Sequence, residues 1–457
     1  MHFVHRPYQK GDTIAAVATP AGEGAIAVVR ISGSKAFEVA EQIFSKPLKN
    51  APTHTAHYGN ILSADGQVID SVLLLLMKGP RSYTGEDTIE ISCHGGSLIT
   101  RRVLERVLEV GARPAQPGEF SLQAFLNGKL DLAQAEAVQQ LIAAKSELAL
   151  QSAEKQLSGA LSKTIAGFQQ ELTDVAAILE AWVDFPEEGL EFAAFDDLIA
   201  RLQTVQSCMQ MLCDTFHEGK LLHEGLSLCL LGAPNVGKSS LMNALLGKDR
   251  AIVTDIAGTT RDVLEEEMRL SGLHFRLLDT AGIRDTNELV EQEGIRRSRA
   301  AMQEADLILL LLDASRPLNG DDRELLRAVP REKTLLVWNK IDLATPTEVI
   351  AWEPQVAISA REKKGLEELR DAIDTLVWKK GPPSKEEVGI TKLRHKNALL
   401  QALNSLQAVI DGLSQRISAE FVASDMRNVL NELGTILGTN VTEDILTSIF
   451  SQFCLGK

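Results

Sequence analysis

Residues Gly232-Ala-Pro-Asn-Val-Gly-Lys-Ser239 set a lysine and a hydroxyl behind two glycines. Glycines spaced this way let backbone N–H groups wrap phosphate oxygens, while Lys238 reaches the terminal phosphates and the Ser239 hydroxyl can ligate Mg²⁺. Downstream, Asp279-Thr-Ala-Gly282 offers a carboxylate that can hold Mg²⁺ through water, and a Gly282 amide that can sense the terminal phosphate. Asn339-Lys340-Ile341-Asp342 follows. Its carboxylate can accept both N1–H and N2–H₂ of guanine, which adenine does not offer. Sites built on such hydrogen bonds reject the wrong ligand by roughly 10⁴-fold. Ser359-Ala360 supplies a backbone cap for the guanine oxygen. Gly258-Thr259-Thr260-Arg261-Asp262 lies between the first two motifs, where Thr260 can complete Mg²⁺ coordination only when the γ-phosphate is present, an order–disorder switch. In this order the motifs imply a site for GTP and Mg²⁺.

Ile283 follows Gly282, where Ras-like hydrolases carry a water-orienting glutamine. Another group must do that work. An arginine finger is worth about 10³–10⁵ in rate, and Arg261, Arg284, Arg296 and Arg297 are candidates. A monovalent cation beside the phosphates is the other route, with oxygen ligands from the Asn235 side chain and from carbonyls of the loop Thr254–Gly258. The water could be held by Asp285, Glu288, Glu291 or Glu293. The residues alone leave these choices open.

The elements that position these groups follow from hydrophobic period. Leu226–Leu231, Phe275–Leu278, Leu307–Leu312 and Thr334–Val337 are short apolar strands with helical segments between several of them, which predicts a mostly parallel sheet covered on both faces. The phosphate loop, Asp279-Thr-Ala-Gly282 and Asn339-Lys340-Ile341-Asp342 each follow one of these strands, at the carboxyl edge where such sheets bind ligands. Leu130 to about Phe185 has no proline and repeats apolar residues at three and four, and a second helical stretch runs from about Ile199 to Leu222. Beyond the linker Gly381-Pro-Pro-Ser384, Lys392 to Phe453 is helical again. Residues 12–120 are mixed, with strands at Thr13–Thr19, Ala25–Ser32, Ser71–Met77 and Thr88–Cys93 and a helix over Ser97–Val110. The fold class is α/β plus α. The economical architecture inserts the α/β unit into one helical domain; two independent helical domains are the alternative.

At 457 residues the chain has room for about three domains. A net charge of −15 argues against a broad basic nucleic-acid surface, though not against a local patch or a partner that supplies the charge. The cysteines (Cys93, Cys208, Cys213, Cys229 and Cys454) show no metal-ligand spacing, which fits free thiols in a reducing cytoplasm. The N-terminus lacks the apolar core of a signal peptide, and the apolar runs are too short to span a bilayer.

Motifs in and outside the nucleotide site resemble the tRNA modification GTPase MnmE (TrmE) family: ATPAGEGAIAVVRISG (18–33), SYTGEDTIEISCHGG (82–96), RPAQPGEFSLQAFLNGKLDLAQAEAV (113–138), GAPNVGKSSLMNAL (232–245), IVTDIAGTTRD (252–262) and FCLGK (453–457). The resemblance spans essentially the whole chain. It implies an N-terminal α+β domain similar to folate-binding modules over 1–127, a discontinuous helical domain over 128–222 and 382–457, and an inserted Ras-like P-loop GTPase domain over 223–381. It also implies a homodimer joined through the N-terminal domains and a complex with the FAD-dependent partner MnmG. That complex places an aminomethyl or carboxymethylaminomethyl group on C5 of the wobble uridine of certain tRNAs, using a one-carbon unit from a tetrahydrofolate derivative (5-formyl- or methylene-tetrahydrofolate). GTP hydrolysis is expected to be potassium-stimulated, and the two G domains of the dimer to be juxtaposed when GTP is bound.

The nucleotide contacts implied run through Asn235, Val236, Gly237, Lys238, Ser239 and Ser240, then Thr254, Asp255, Ile256, Ala257, Gly258, Thr259 and Thr260. They continue through Asp279, Thr280, Ala281 and Gly282, then Asn339, Lys340 and Asp342, and Ser359 with Ala360. Asn235, Thr254, Ile256 and Thr259 match the potassium ligands, Ser239 and Thr260 the Mg²⁺ ligands. Glu291 matches the water-orienting glutamate, so Glu291, Thr260 and Lys238 form the expected catalytic set. Arg30, Glu90, Lys129 and Lys457 match folate contacts, although spacing alone reads Arg30 and Glu90 as solvated strand positions and Lys457 as a tail residue. Cys454 is a candidate reactive thiol. A ribosome-biogenesis factor would share the GTP motifs but carry a basic RNA-binding module, and none is evident. A folate-binding scaffold with a vestigial G domain would not need an intact phosphate loop.

Overall fold

Alternation along the N-terminal strands decides the first sheet. The computed structural model describes residues 11–184, 195–249, 267–270, 273–278, 302–346, 348–378 and 388–457. It divides into two units, one of residues 1–142, 155–209 and 397–457, the other of residues 143–154 and 210–396.

In the first unit, β1 (Ile14–Val17), β2 (Ile26–Ser32), β3 (Thr55–Leu62), β4 (Val68–Met77), β5 (Thr88–His94) and β6 (Arg113–Pro114) form a sheet of order β3-β4-β5-β2-β1-β6. Every pairing is antiparallel except β1 with β6. Val29, Ile31, Val72, Leu74, Leu76, Ile89 and Ile91 alternate onto one face and are buried with Val39 and Ile43 of α1 (Ala36–Ile43) and Val103 and Val107 of α2 (Ser97–Glu109). The other face carries Ile26, Arg30, Tyr58, Leu73 and Glu90 by the same alternation, with Arg30 opposite Glu90 and Tyr58 opposite Leu73. Ile26, Tyr58 and Leu73 are exposed there.

Helices α3 (Glu119–Leu126), α4 (Leu132–Ala143), α5 (Glu147–Leu157), α6 (Ala160–Asp184) and α7 (Phe195–Asp214) follow. Next comes α8 (Phe216–Glu224); the second unit takes in most of α5 and the chain from residue 210, inside α7, to 396. The expected stretch 199–222 is therefore two helices. Thr215 breaks it: its hydroxyl donates to the Leu212 carbonyl at 2.7 Å and accepts from the Ile390 N–H at 3.1 Å.

The second sheet has order β12-β11-β10-β7-β9-β8, built from β7 (Leu226–Leu231), β8 (Glu267–Leu270), β9 (Leu273–Leu278), β10 (Leu307–Asp313), β11 (Thr334–Asn339) and β12 (Gln355–Ala357). All pairings are parallel except β8 with β9. The near-continuous leucines of β7, β10 and β11 are buried on both faces. Leu228, Leu230, Leu309, Leu311, Leu335 and Val337 pack on one side with α9 (Lys238–Asp249), and Cys229, Leu231, Ile308, Leu310, Leu312 and Leu336 on the other. Helices α10 (Gly320–Ala328) and α11 (Leu366–Val377) complete this unit.

Back in the first unit, α12 (Leu393–Ser414) ends within it, α13 (Ala419–Leu437) packs along α6, and α14 (Glu443–Phe450) brings Phe450 and Phe453 against Leu132 and Ala135. Gly118 is in left-handed conformation, and a Cβ there would lie 2.4 Å from the Phe450 carbonyl oxygen. Among the described residues no helix is long and apolar enough to cross a membrane.

Candidate guanine-nucleotide site

β7 delivers the phosphate loop and α9 leaves it at Lys238, so the loop's N–H groups and the helix N-terminus lie together, an arrangement that favours anions. Gly237 shows why glycine is needed: φ is +101°, and a Cβ would lie 2.2 Å from Asn339 Nδ2. Asn235 is also left-handed and exposed. Lys238 Nζ donates to the carbonyls of Gly232 at 2.8 Å and Ala233 at 3.1 Å, so the ammonium is held over the loop. Ser239 and Ser240 are exposed in the first turn of α9, while Val236 is buried in the core.

The base motif begins at the end of β11. Asn339 is buried, donates from Nδ2 to the Val236 carbonyl at 2.9 Å and accepts at Oδ1 from the Ala360 N–H at 3.0 Å. One side chain thus ties together the phosphate loop, the base motif and the Ser359-Ala360 segment. Asp342 Oδ1 is buried and has no hydrogen-bond partner. A buried acceptor without a donor costs free energy, and the guanine edge supplies donors. The Ser359 hydroxyl, with Arg361 and Lys364 nearby, holds the Asp342 carboxyl below its ordinary value, so it is ionised as an acceptor. The chemistry of the described residues therefore fits guanine. For the ions, a serine hydroxyl and an asparagine amide oxygen are hard donors suited to Mg²⁺ and K⁺.

A carboxylate absent from every motif joins this site: Asp313, the last residue of β10, takes the Lys340 ammonium at 2.6 Å. An acidic residue ending a fully apolar strand at the ligand-binding edge was the available signal. Thr254, Asp255, Ile256, Ala257, Gly258, Thr259, Thr260, Asp279, Thr280, Ala281, Gly282 and Glu291 lie outside the described residues, as do Arg261, Asp285, Arg284, Glu288, Glu293, Arg296 and Arg297.

In the first unit, Arg30 donates through Nε to Glu90 Oε1 at 2.9 Å and through Nη1 to the Gly456 carbonyl at 3.1 Å. Its side chain is only 15% exposed, so the solvated reading from spacing is corrected: the C-terminal segment covers this part of the sheet. The guanidinium lies 5.9 Å from the Tyr83 ring and 5.5 Å from the Phe120 ring, and Lys457 Nζ lies 6.0 Å from Tyr83. Burial and the neighbouring Arg30 charge push the Lys457 ammonium below its ordinary pKa. Two cations against one carboxylate and two aromatic faces suit a planar ligand bearing an anion. Lys129 is exposed and reaches the Pro80 carbonyl at 3.1 Å, on the loop that carries Tyr83. Cys454 is exposed, and its carbonyl accepts from the Gly118 N–H at 3.4 Å. Tyr83 and Phe120 escaped the sequence reading because aromatic residues near a turn look like ordinary packing.

Known proteins are similar to this chain along its whole length. Residues 13–129 match the family described as GTP-binding protein TrmE N-terminus, and residues 132–454 match the MnmE helical domain. The chain is 61% identical to the tRNA modification GTPase MnmE of Protochlamydia amoebophila (strain UWE25), with 100% of each chain covered. It is 45% identical to the protein of that name from Alkaliphilus oremlandii (strain OhILAs), covering 98% of this chain and 99% of the relative. Among solved structures, the G domain of the T. maritima FeoB iron transporter is 27% identical over 34% of this chain and 99% of its own, with a TM-score of 0.25. With the family's N-terminal and helical segments both matched and identity carried end to end, the chain belongs to the tRNA modification GTPase MnmE family.

Proposed function

We propose that the chain hydrolyses GTP to GDP and phosphate to drive modification of tRNA. With an FAD-dependent MnmG partner it builds a carboxymethylaminomethyl or aminomethyl group on C5 of the wobble uridine, taking one carbon from a tetrahydrofolate derivative. The observation that carries the nucleotide half is the orphaned, ionised Asp342 oxygen beside a phosphate loop tied to it through Asn339. The working division is 1–127, 128–222, 223–381 and 382–457, with the boundary at 381 outside the described residues.

In this reading the phosphate-loop amides and Lys238 bind the β- and γ-phosphates and draw charge toward the leaving oxygen. Mg²⁺ at Ser239 and Thr260, and K⁺ at Asn235, Thr254, Ile256 and Thr259, supply positive charge when bound. Glu291 holds the attacking water in line, the task left open by Ile283. Two G domains close on each other in the GTP state.

The folate half rests on the cluster of Arg30, Glu90 and Lys457, with Lys129 at its margin and Cys454 as the nearby thiol. The exposed Ile26, Tyr58 and Leu73 on the same sheet face support a homodimer through the N-terminal domain, where such patches mark interaction surfaces. The assembly is a cytoplasmic heterotetramer with MnmG. Mass spectrometry of wobble nucleosides from a strain lacking this chain tests the proposal. Loss of the C5 substituent is expected, and an unchanged nucleoside profile overturns it.

A further inference from the structure

The lysine of the guanine motif ends on a carboxylate that no nucleotide motif contains. Asp313 closes β10 in register with Asn339 of β11, at the carboxyl edge of the sheet. Its side chain is 7% exposed. Oδ2 accepts from Lys340 Nζ at 2.6 Å, and Oδ1 accepts from the Ser315 N–H at 2.9 Å and the Ser315 hydroxyl at 2.6 Å. Burial pushes the Asp313 carboxyl up, yet these donors hold it below the ordinary value, so the partner of Lys340 is an anion. Arg316 comes within 4.0 Å of the same carboxylate but donates to Asp322 at 2.7 Å, leaving Lys340 as the close cation.

The lysine backbone is fixed as well. Lys340 is left-handed at φ +67°, and the Ile341 N–H is bonded to the Ile358 carbonyl at 3.2 Å. With both ends held, the four-carbon stem is ordered before any ligand arrives. Two residues further on, Asp342 presents its orphaned oxygen.

We propose that Asp313 is a positioning residue for the purine: it pins the Lys340 ammonium so that the lysine stem forms a fixed apolar shelf against the base that Asp342 reads. This rests on the guanine-nucleotide reading of the site. Asp313 touches no part of the nucleotide and acts through Lys340 alone. A free lysine stem would have to be ordered on binding, and ordering it in advance removes that cost.

The test is a double-mutant cycle on the full chain with Asp313→Asn, Lys340→Met and both, titrated with fluorescent mant-GDP and mant-IDP. Asp313→Asn keeps an acceptor for Ser315 and removes the charge. Lys340→Met keeps an apolar stem and removes the group that Asp313 holds. Expected are about ten-fold weaker mant-GDP binding for Asp313→Asn, an unchanged GDP-to-IDP ratio, and no further loss when Asp313→Asn is added to Lys340→Met. The nucleotide-free Asp313→Asn protein still melts cooperatively, at a lower temperature because a buried ion pair has lost one partner. Effects of the two substitutions that multiply, or wild-type affinity in Asp313→Asn, overturn the proposal. Wild-type protein that fails to prefer mant-GDP over mant-ADP overturns the guanine reading itself and the proposal with it, so the two failures are distinguishable.

Discussion

The Asn339 side-chain amide donates to the Val236 carbonyl at 2.9 Å, fixing the strand that carries the base motif to the loop that cradles phosphate. Both groups are buried, so Asn339→Ala strands the Val236 carbonyl and the Ala360 N–H together. Each buried unsatisfied group costs about 1–3 kcal/mol. GDP and GTP affinities should fall by a similar factor of ten or more, roughly, because the lost bonds do not involve the γ-phosphate. Titration calorimetry with both nucleotides checks this. A loss confined to GTP would assign the bond to the switch rather than to the shared frame.

Asp342→Asn replaces an ionised acceptor with a group that donates on one side. Guanine N1–H and N2–H₂ then face an N–H, and GTP affinity should drop by roughly 10⁴-fold. Xanthine carries a carbonyl at the position of the guanine amine, so XTP should gain at the expense of GTP. Competition against mant-GDP reads the exchange. If XTP gains nothing, the orphaned oxygen does not read the base.

The phosphate loop and the base motif stood out because they follow β7 and β11, and strands buried on both faces are the clearest part of this sequence. Asp313 was not legible as a partner of Lys340: the two are 27 positions apart, and only the parallel pairing of β10 with β11 makes them neighbours. Alternation placed Arg30 and Glu90 on one face of their strands but could not say what covers that face. The Gly456 carbonyl that meets Arg30 lies 426 positions away. The break at Thr215 was hidden for a similar reason, since one of its two bonds goes to Ile390.

Arg30 is held by a fork: Nε and Nη2 to Glu90, at 2.9 and 2.8 Å, and Nη1 to the Gly456 carbonyl. A lysine keeps the charge but cannot make these contacts at once. Arg30→Lys should weaken binding of 5-formyl-tetrahydrofolate by about ten-fold or more. Calorimetry with the reduced folate measures it. Undiminished affinity would leave the Arg30 cluster as a clamp on the C-terminal segment and nothing more.

The replacement for the glutamine absent at Ile283 is testable without any view of the switch. With K⁺ bound through Asn235, hydrolysis in KCl should exceed that in NaCl, and Asn235→Ala should abolish the difference. Glu291→Ala should lower kcat by about 10²–10⁴-fold, the range for a positioned acid–base group, with GTP affinity retained. Equal rates in the two salts remove Asn235 from its assigned role, and full turnover in Glu291→Ala assigns the water to another residue.

His223 predicts an acid limit to stability. It sits in the last turn of α8, where a helix C-terminus favours a cation. Burial and the Lys392 charge prevail and depress its pKa to about 4, and its Nε2 is buried without a hydrogen-bond partner. The unfolded chain takes up this proton near pH 6.5, the ordinary histidine value, whereas the folded chain refuses it until about pH 4. Stability is therefore fully present above about pH 6.5 and is lost as pH falls toward 4, by at most about 3 kcal/mol. His223→Gln carries no titrating group, so its melting temperature should fall less than wild type between about pH 7.5 and pH 5. Parallel pH profiles for the two proteins would mean that native His223 takes up its proton near the ordinary histidine value and that burial and Lys392 do not oppose it.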